Sequence, residues 1–364
     1  MATNSNKYLQ ILSDLKQQIW SQYYQAGQQL PSENELAQTY QVSRITSKRA
    51  LQELTDSGLV ERIQGRGTFV RKTLTVRPRT NQILLVIPFS AETGLGDYIT
   101  GIKEVLTSHQ QSLVVVENKD VPVENFTQLA HQYDGILFYP QDFANELPII
   151  NQALLHHLPL VLIDKTATNF PLPAVVADNA QGGYLATNTL IERGHQKIAF
   201  LSQSPLTTAL NSSAAQRYFG YLRALSEHGL NFTTDPLTAT EIVAQDFTNL
   251  VPCLTANQVS AVVCENDVLA LRLLPFLAKQ NITVPEQLSV IGFDNINQTA
   301  TSSPQLTTIQ QNFHEIGRQA ANLLQARIDN PYAPQAPQLT VPVELMQRAS
   351  VTQPLLTKTL NPFI

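Results

Sequence analysis

Apolar residues at helical spacing mark the start of the chain. They recur every three or four positions over the first twenty residues: Tyr8, Ile11, Leu12, Leu15 and Ile19. This pattern predicts an amphipathic helix, which Gly27 and Pro31 bring to an end. Ser32 and Glu35 have the spacing of a capping box, in which each side chain satisfies a free backbone amide, so a second helix is predicted from Ser32 onward.

A third helix and a hairpin follow. Ser43 is the predicted N-cap of this helix, which stops at Gly58 and has a buried stripe formed by Ala50, Leu51 and Leu54. Strand-like runs at 59–63 and 68–70 flank the sequence QGRG, whose glycines permit the positive φ angles of a tight hairpin. Three helices followed by a β-hairpin predict a winged helix.

From Ile83 the pattern becomes one of apolar runs that alternate with helical stretches. The runs that have this character are ILLVIPF, SLVVVEN, DGILFYP, LPLVLID, KIAFLSQ, VSAVVCEN and LSVIGFD. Continuous Val, Ile and Leu strands separated by helices are typical of parallel sheets covered on both faces. The predicted fold is α/β: a winged-helix domain at 1–71, an exposed linker at 72–82, and two doubly wound lobes at 83–364 with a cleft between them.

Charge is distributed unevenly along the chain. The 364 residues are 43% hydrophobic and 15% charged, which indicates folded sequence throughout. Residues 1–80 carry 11 Lys and Arg against 6 Asp and Glu, a net charge of +5, whereas the remainder carries 13 against 23, a net charge of −10. A basic head on an acidic body indicates that the head meets a polyanion.

Signals for export or membrane insertion are not visible in the sequence. The first thirty residues are polar, and no apolar run approaches the roughly 18 residues that a membrane helix requires. Cys253 and Cys264 lack CxxC or Cys/His spacing, which favours buried, reduced thiols over a disulfide or a metal site. We therefore expect a soluble cytoplasmic protein with no membrane partner.

Polar and basic side chains gather at the start of the third predicted helix: Ser43, Arg44, Thr46, Lys48 and Arg49. If the apolar residues of this helix turn inward, these groups lie on the face that a recognition helix presents to DNA, where Arg grips guanine and Lys or Thr holds phosphate. The alternative is an ordinary cationic, solvated face. The neighbouring wing favours the first interpretation.

The segment from Leu30 to Val70 resembles the GntR family of winged-helix regulators, through LPSE, VSRxT, ALxxL and GxGTFV in that order. The resemblance implies operator contacts from Arg44, Thr46 and Lys48, and contacts to the adjoining groove from three wing residues: Gln64, Gly65 and Arg66. It also implies that Glu33 accepts a hydrogen bond from cytosine, although stabilisation of a helix dipole is the alternative. Ser47 stands where the family usually has Val or Ile, so we expect it to loosen packing or face solvent.

The body, from about 82 to 352, resembles the LacI/GalR effector domain through motifs in the family's order, among them DGILFYP, CENDVLALRLL, VPEQLSVIGFDN and PVELMQRAS. A sugar site needs planar, charge-assisted groups and an aromatic face. The resemblance implies effector contacts from Asp164, Arg217, Asn266, Asp294 and Gln311. Lys165 and Phe293 are further candidates, and core packing is the alternative for Phe293.

Simpler roles are open for other residues. Asp178 and Asp267 are expected to cap helices, and glycines to serve turns or close packing: Gly182, Gly194 and Gly220. In the loop that begins the first lobe, Ser90, Glu92 and Asp97 either bind a ligand hydroxyl or are merely solvated.

Enzymatic function is disfavoured, because the phosphate-loop, GxGxxG and GxSxG motifs are absent from the sequence. His156 and His157 are adjacent, which is poor geometry for two ligands of one metal ion.

A GntR-type head on a LacI/GalR-type sensor resembles the arabinose-responsive repressors of Gram-positive bacteria. This resemblance implies a homodimer that binds double-stranded operator DNA and releases it when a sugar effector, L-arabinose, closes the cleft; no cofactor or metal is expected. The alternatives are a sugar-binding protein for transport or sensing, and a regulator that responds to another sugar or a nucleobase.

Overall fold

The computed structural model describes most of the chain: residues 3–20, 23–56, 58–71, 79–88, 97–141, 143–167, 172–203, 212–230, 237–238, 247, 250–329 and 338–354. The strands in these ranges form a two-stranded sheet and two six-stranded sheets. We call the part around the small sheet the head, and the parts around the larger sheets the first and second lobes.

The head contains three helices and a hairpin: α1 (Thr3–Trp20), α2 (Glu33–Thr39), α3 (Arg44–Asp56), β1 (Val60–Ile63) and β2 (Gly67–Val70). The capping box at the start of α2 is present as predicted. Apolar side chains from all three helices and both strands share one core, which includes Ile11, Leu36, Leu51, Val60 and Val70. The small core explains why the helical stripes are amphipathic rather than apolar all round.

Two features of the head differ from the sequence prediction or refine it. Helix α1 ends at Trp20, earlier than Gly27. Gly27 instead adopts a positive φ of 81°, and its amide donates to the carbonyl of Val70, so the segment before α2 lies beside β2. Gly58 adopts a φ of 73° just after α3, in agreement with the predicted stop.

The first lobe has a wholly parallel sheet in the order β13-β7-β6-β5-β3-β4. Its strands are β3 (Gln82–Ile87), β4 (Ser112–Glu117), β5 (Gly135–Phe138), β6 (Leu160–Ile163), β7 (Ala174–Ala177) and β13 (Gln338–Val341). The helices between and after them are α4 (Tyr98–Ser108), α5 (Phe126–Gln132), α6 (Phe143–Leu155) and, from late in the chain, α11 (Phe313–Asp329).

The second lobe has the sheet order β14-β12-β11-β10-β8-β9, parallel except that β14 runs antiparallel to β12. Its strands are β8 (Ile198–Ser202), β9 (Leu237–Thr238), β10 (Ala261–Cys264), β11 (Ser289–Asp294), β12 (Thr307–Gln311) and β14 (Val343–Met346). Its helices are α7 (Asn179–Glu192), α8 (Ser213–Glu227), α9 (Leu250–Ala256) and α10 (Asp267–Lys279).

Alternate residues of the buried strands enter different cores. In β3, Ile83 and Leu85 belong to one apolar cluster, and Leu84 and Val86 belong to another on the opposite face. Because both faces are covered, each strand is apolar at successive positions. The predicted α/β class with parallel sheets is confirmed.

The chain passes between the lobes at 177–179, 311–313 and 341–343. Helix α11 follows the second of these crossings and packs on α4 and on strands of the first lobe. Ligands of open parallel sheets bind at the carboxyl ends of the strands, so the cleft between the two lobes is the place where a ligand site is expected.

All seven predicted apolar runs contain a strand, but five strands were not predicted: β7, β9, β12, β13 and β14. Strand β9 has only two residues; the other four have four or five residues and, apart from β7, interleave polar side chains. Part of the predicted linker, 72–78, lies outside the described residues. Of the cysteines, Cys264 is buried and Cys253 is half-buried. No helix within the described ranges is long and apolar enough to cross a membrane.

Candidate functional sites

The exposed side of α3 carries basic residues, as the sequence predicted. Arg44, Lys48 and Arg49 are all exposed, and the guanidinium of Arg49 lies 4.2 Å from the centre of the Tyr8 ring. Ser43 accepts a hydrogen bond from the Thr46 amide, which satisfies one free amide of the first turn. The helix therefore presents cations outward from a capped N-terminal end.

Two residues of α3 are placed differently from the expectation. Thr46 is buried, and its hydroxyl lies 2.9 Å from the Ser43 hydroxyl, so it is not part of the exposed face. Ser47 is fully buried and does not face solvent: its hydroxyl donates to the carbonyl of Glu33 at 2.7 Å and lies 3.0 Å from that of Arg44. Ser47 thus joins α3 to α2 through a hydrogen bond, where an aliphatic residue would use packing alone.

Glu33 connects the third helix to the wing. Its buried carboxylate accepts a hydrogen bond from Arg44 Nε at 3.0 Å and another from Arg62 Nη2, in β1. Burial raises the pKa of Glu33, but the hydrogen bonds and charges of the two arginines outweigh burial and hold this pKa below its ordinary value. The cytosine contact of Glu33 stays a prediction. The pairing with Arg62 was not predicted, because the two residues are 29 positions apart in the sequence.

The wing residues lie at the hairpin turn. Gln64, Gly65 and Arg66 are exposed, and Gly65 has a φ of 75° that a tight turn favours in glycine. The guanidinium of Arg66 lies 5.9 Å from the Phe69 ring centre, and its carbonyl accepts a hydrogen bond from Gln29. These two contacts hold the turn in place, and the residues at its tip remain exposed to solvent.

In the cleft, polar side chains lie at the ends of parallel strands. Asp164 follows β6, Glu265 follows β10, and Asp294 and Gln311 end β11 and β12; all four are buried. Asp164 and Asp294 have positive φ values of 68° and 118°, a backbone conformation that L-residues rarely adopt. Strain of this kind persists where the surrounding structure holds a residue for a purpose, and it is typical of ligand sites.

Arg217, near the start of α8, is the cation of this site. Its Nε donates to Asn179 at 2.8 Å, Nη1 donates to the carbonyl of Glu265, and Nη2 lies 3.3 Å from Asp294. The guanidinium also stacks 3.7 Å from the centre of the Phe293 ring. These contacts hold the guanidinium in one plane. A guanidinium held in this way can donate two parallel hydrogen bonds to a pair of hydroxyl groups.

Glycines bring α7 and α8 close enough to fix this arrangement. A Cβ atom on Gly183 would lie 1.9 Å from the carbonyl oxygen of Arg217, and one on Gly220 would lie 2.0 Å from that of Ala180. Gly182 lies against the Phe293 ring in the same way. The close-packing role expected for Gly182 and Gly220 is confirmed, and Gly194 has the positive φ of a turn.

Asp294 and Gln311 form a pair across neighbouring strands. Gln311 Nε2 donates to Asp294 Oδ1 at 2.6 Å. Burial raises the pKa of Asp294 to about 6, although the charge of Arg217 acts against it. Gln311 Oε1 is buried and, within the described part of the chain, has no hydrogen-bond donor. A buried acceptor without a donor is costly, so this oxygen is available to a donor from a ligand.

A contact between the lobes closes one side of the cleft. Ser213 Oγ of the second lobe lies 3.2 Å from the carbonyl oxygen of Asp164 and 3.3 Å from its carboxylate. A cavity of about 240 Å³ adjoins this contact, which we call the Ser213–Asp164 latch. Its lining includes both latch residues, Lys165 and Asn179, and Asn179 in turn accepts a hydrogen bond from Arg217.

Aromatic side chains complete the first-lobe side of the cleft. The Tyr98 ring packs edge-on against Tyr139 at 5.9 Å and against Phe313 at 5.1 Å. Burial and the neighbouring charge of Asp164 raise the pKa of Tyr139, which keeps its phenol protonated near neutrality. These two tyrosines were not among the predicted site residues, because Tyr98 begins a helix and Tyr139 follows β5 within an apolar motif.

The cap of α10 is Asn266 and not Asp267 as expected, and an effector contact from Asn266 stays a prediction. Asn266 Oδ1 accepts from the Leu269 amide and caps α10, whereas Asp267 is fully buried and accepts from Thr308 Oγ1 at 2.6 Å and from the Ile296 amide at 3.0 Å. Only the amide nitrogen of Asn266 stays near the cleft, 3.4 Å from Glu265. Asp178 caps α7 as predicted.

The remaining predicted residues also contact other groups of the protein. Phe293 is 1% exposed beneath Arg217, which agrees with core packing, and Lys165, which lines the cavity, donates to the carbonyl of Gln141 at 2.5 Å. Asp97 caps α4. Ser90 and Glu92 lie outside the described residues. Glu265 was missed, although its place between a strand end and a capping Asn was a usable signal; burial raises its pKa to about 7.

Comparison with known proteins matches both parts of the chain. Residues 7–70 match the bacterial regulatory proteins of the gntR family, and residues 187–351 match the periplasmic binding protein-like domain. The chain is 30% identical over 339 residues to the arabinose metabolism transcriptional repressor of Geobacillus stearothermophilus, covering 87% of this chain and 90% of that protein. It is also 30% identical over 297 residues to the transcriptional repressor CytR of Escherichia coli K12, covering 78% and 81%.

Solved structures of transcription regulators share the fold of the body. The regulator CcpA of Lactococcus lactis aligns with a TM-score of 0.65 at 22% identity, covering 75% of this chain and all of that one. A LacI family regulator from Enterococcus faecalis with bound ribose aligns with a TM-score of 0.61 at 25% identity, covering 75% and 99%.

Proposed function

Because this chain belongs to the family of bacterial transcriptional repressors that includes the arabinose metabolism repressors, we propose that L-arabinose is the effector that releases it from operator DNA. The chain is a repressor of sugar-metabolism genes and not an enzyme. The proposal concerns its ligand and the residues that bind DNA and ligand.

The observation that carries the ligand proposal is the donor-less acceptor in the cleft. Gln311 Oε1 is buried beside Asp294 and Arg217, and the described residues supply no donor to it. A sugar hydroxyl both donates and accepts, so it satisfies Gln311 while a neighbouring hydroxyl accepts from Arg217. The rings of Tyr98 and Tyr139 add an apolar face for the C–H side of a pyranose.

The charges of the cleft favour a neutral ligand. Three buried acidic side chains, from Asp164, Glu265 and Asp294, lie in the cleft with Arg217, and Asp294 is 3.3 Å from its guanidinium. An anionic ligand such as a sugar phosphate would add a further negative charge to a buried site that already has an excess. A neutral pentose agrees with this balance, and the bound ribose of the similar Enterococcus faecalis regulator favours pentoses among neutral sugars.

For the head, we propose that α3 reads the operator and that the wing contacts the adjoining groove. Arg44, Lys48 and Arg49 on α3, with Gln64, Gly65 and Arg66 on the wing, are exposed and mostly basic. Glu33 acts as a positioning residue that holds Arg44, and Thr46 and Ser43 support the first turn of the helix. A homodimer in the cytoplasm would present two such heads to two half-sites.

Release requires that the sugar bind one arrangement of the lobes better than the other. The Ser213–Asp164 latch joins residues that approach only when the lobes are close. A sugar held between Asp164 and Arg217 would stabilise this closed arrangement, and the change would reach the heads through the linker at 72–82. This account places Asp164, Arg217, Asp294 and Gln311 in direct contact with the sugar, and Asn266 and Phe293 in support of them.

Thermal unfolding of the full chain with L-arabinose, D-ribose, D-xylose, hexoses, nucleobases and arabinose 5-phosphate tests the ligand. A ligand at a hundredfold excess over its Kd adds roughly 2.7 kcal/mol to the stability of the folded state. We expect L-arabinose to raise the midpoint, Asp294→Asn to abolish the rise, and Lys279→Ala, at the exposed end of α10, to retain it. A rise with another compound only would replace L-arabinose as the effector.

Fluorescence anisotropy of labelled DNA tests release. Operator duplexes are first selected from a random library with the full-length protein, and binding is then measured at fixed salt with and without the sugar. We expect the sugar to weaken binding. Tighter binding in its presence would show that the sugar acts as a co-repressor.

A further inference from the structure

An isoleucine occupies a strongly exposed position on the cationic face of α3. Ile45 is 80% exposed, and it follows Arg44 in the first turn of α3. Residues 45, 48, 49 and 52 share one side of a helix, since positions three and four apart are neighbours. All four are exposed, so Ile45 is an apolar side chain at the N-terminal end of a ridge that is otherwise polar and basic.

A single exposed apolar residue is ordinary on a protein surface, so only its location can indicate a function. The opposite side of α3 packs in the head core through Ala50, Leu51 and Leu54. The side chain of Ile45 thus contributes nothing to that core. Its surroundings are cations, which indicates a partner that is both negatively charged and locally apolar.

Double-stranded DNA offers this combination in one place. The major groove is lined by phosphates, and the C5 methyl group of thymine is the apolar group that base edges present there. The N-terminal residues of a recognition helix are those that reach base edges. We propose that Ile45 contacts a thymine methyl group and selects thymine at one position of each operator half-site, an inference that rests on the proposed use of α3 as the DNA-reading helix.

The neighbouring residues determine where Ile45 would lie along the DNA. Arg44 is held by Glu33, and Lys48 is one turn further along the exposed ridge. With Lys48 on a phosphate, the start of the helix points into the groove, and a branched apolar side chain there excludes water from the base edge. Ile45 is therefore a specificity-determining residue, whereas Lys48 supplies affinity that does not depend on sequence.

Deoxyuridine scanning tests this assignment, because deoxyuridine differs from thymidine only in the missing methyl group. Duplexes selected with the full-length protein are synthesised with each thymine replaced in turn, and affinities are measured for the wild type, Ile45→Ala and Lys48→Ala. Burial of one methyl group corresponds to about a fourfold change in affinity. We expect one thymine in each half-site at which the wild type shows this loss.

The two variants test two assumptions separately: that Ile45 contacts a thymine methyl group, and that α3 is the helix that reads the DNA. Ile45→Ala, which removes an exposed side chain and leaves the fold intact, is expected to bind thymine and deoxyuridine equally at that position. Lys48→Ala is expected to bind more weakly at every sequence, with a smaller salt dependence, and to keep the discrimination. Discrimination that persists in Ile45→Ala, or a wild type indifferent to every deoxyuridine, would overturn the assignment of Ile45. Unchanged affinity of Lys48→Ala would overturn the proposed use of α3 itself.

Discussion

The Glu33 carboxylate joins two arginines from separate elements, and its neutralisation should loosen the head. In Glu33→Gln the two arginines lose their anionic acceptor, and the amide nitrogen of Gln cannot accept the second of the two hydrogen bonds. Such bonds to a charged group contribute roughly 1.5–3 kcal/mol each when buried. Here the Arg44 and Arg62 side chains are 70% and 41% exposed, so solvent screening reduces the expected loss to roughly 1–2 kcal/mol in total.

The chain has a single tryptophan, which makes the assay selective. Trp20 ends α1, whose Ile11, Leu15 and Ile19 are part of the head core, so tryptophan emission during urea unfolding reports on the head and not on the lobes. Glu61→Gln is the matched control, because Glu61 is an exposed carboxylate on the same hairpin. We expect Glu33→Gln to lower the free energy of unfolding and Glu61→Gln to leave it nearly unchanged.

The pH dependence gives a second, independent check. The folded-state pKa of Glu33 is lowered relative to an ordinary 4.5, so the stabilisation is fully present above pH 4.5 and is lost as the pH falls through the folded-state pKa. The difference between wild type and Glu33→Gln should vanish over the same range. Equal losses in the two variants, or a difference that persists at low pH, would refute the structural role of this carboxylate.

Further predictions concern the cleft and the join between α2 and α3. Gln311→Met removes the donor-less acceptor together with its bond to Asp294, so the unliganded body should keep its stability within about 1 kcal/mol while calorimetry detects no sugar binding. Because the pKa of Glu265 is raised to about 7, ionisation of this side chain destabilises the fold as the pH rises from 4.5 through 7. Glu265→Gln should therefore stabilise the body at pH 8 by roughly 2–3 kcal/mol and have no effect at pH 4. Equal effects at both pH values would contradict this cause. Ser47→Ala should destabilise the head by about 1 kcal/mol, as measured by Trp20 emission, because it removes the bond to the Glu33 carbonyl; an unchanged midpoint would show that packing alone joins the helices.

Local signals in the sequence predicted most of the fold. Caps, stripes and turn glycines identified the head, since α2, α3 and the hairpin each depend on residues within a few positions of one another. The long apolar strands were equally visible because both sheet faces are covered. Strands β12, β13 and β14 were not, because their pairing is set by distant partners and their polar positions break the apolar pattern.

The sites were predictable to the extent that each residue acts from the end of a strand or the start of a helix. Asp164, Arg217, Asp294 and Gln311 gather in the cleft for this reason. The choice between neighbours could not be read from the sequence: Asn266 caps α10 while Asp267 is buried, and either residue type can do either task. Arg62 and Ile45 depend on which way a side chain points, which only the packed head decides.

The glycine contacts between α7 and α8 limit how this protein can change its ligand in evolution. Gly183 lies against the backbone of Arg217, and Gly220 against that of Ala180, so a larger residue at either position would displace the guanidinium. The packing of the two helices therefore fixes the position of the Arg217 guanidinium in the site. Residues that follow strands, such as Glu265, carry no such constraint on helix spacing and can vary, whereas Asp164 is limited by its positive φ of 68°. Relatives that respond to different small molecules are therefore expected to differ at these strand ends while they keep the same helix pair.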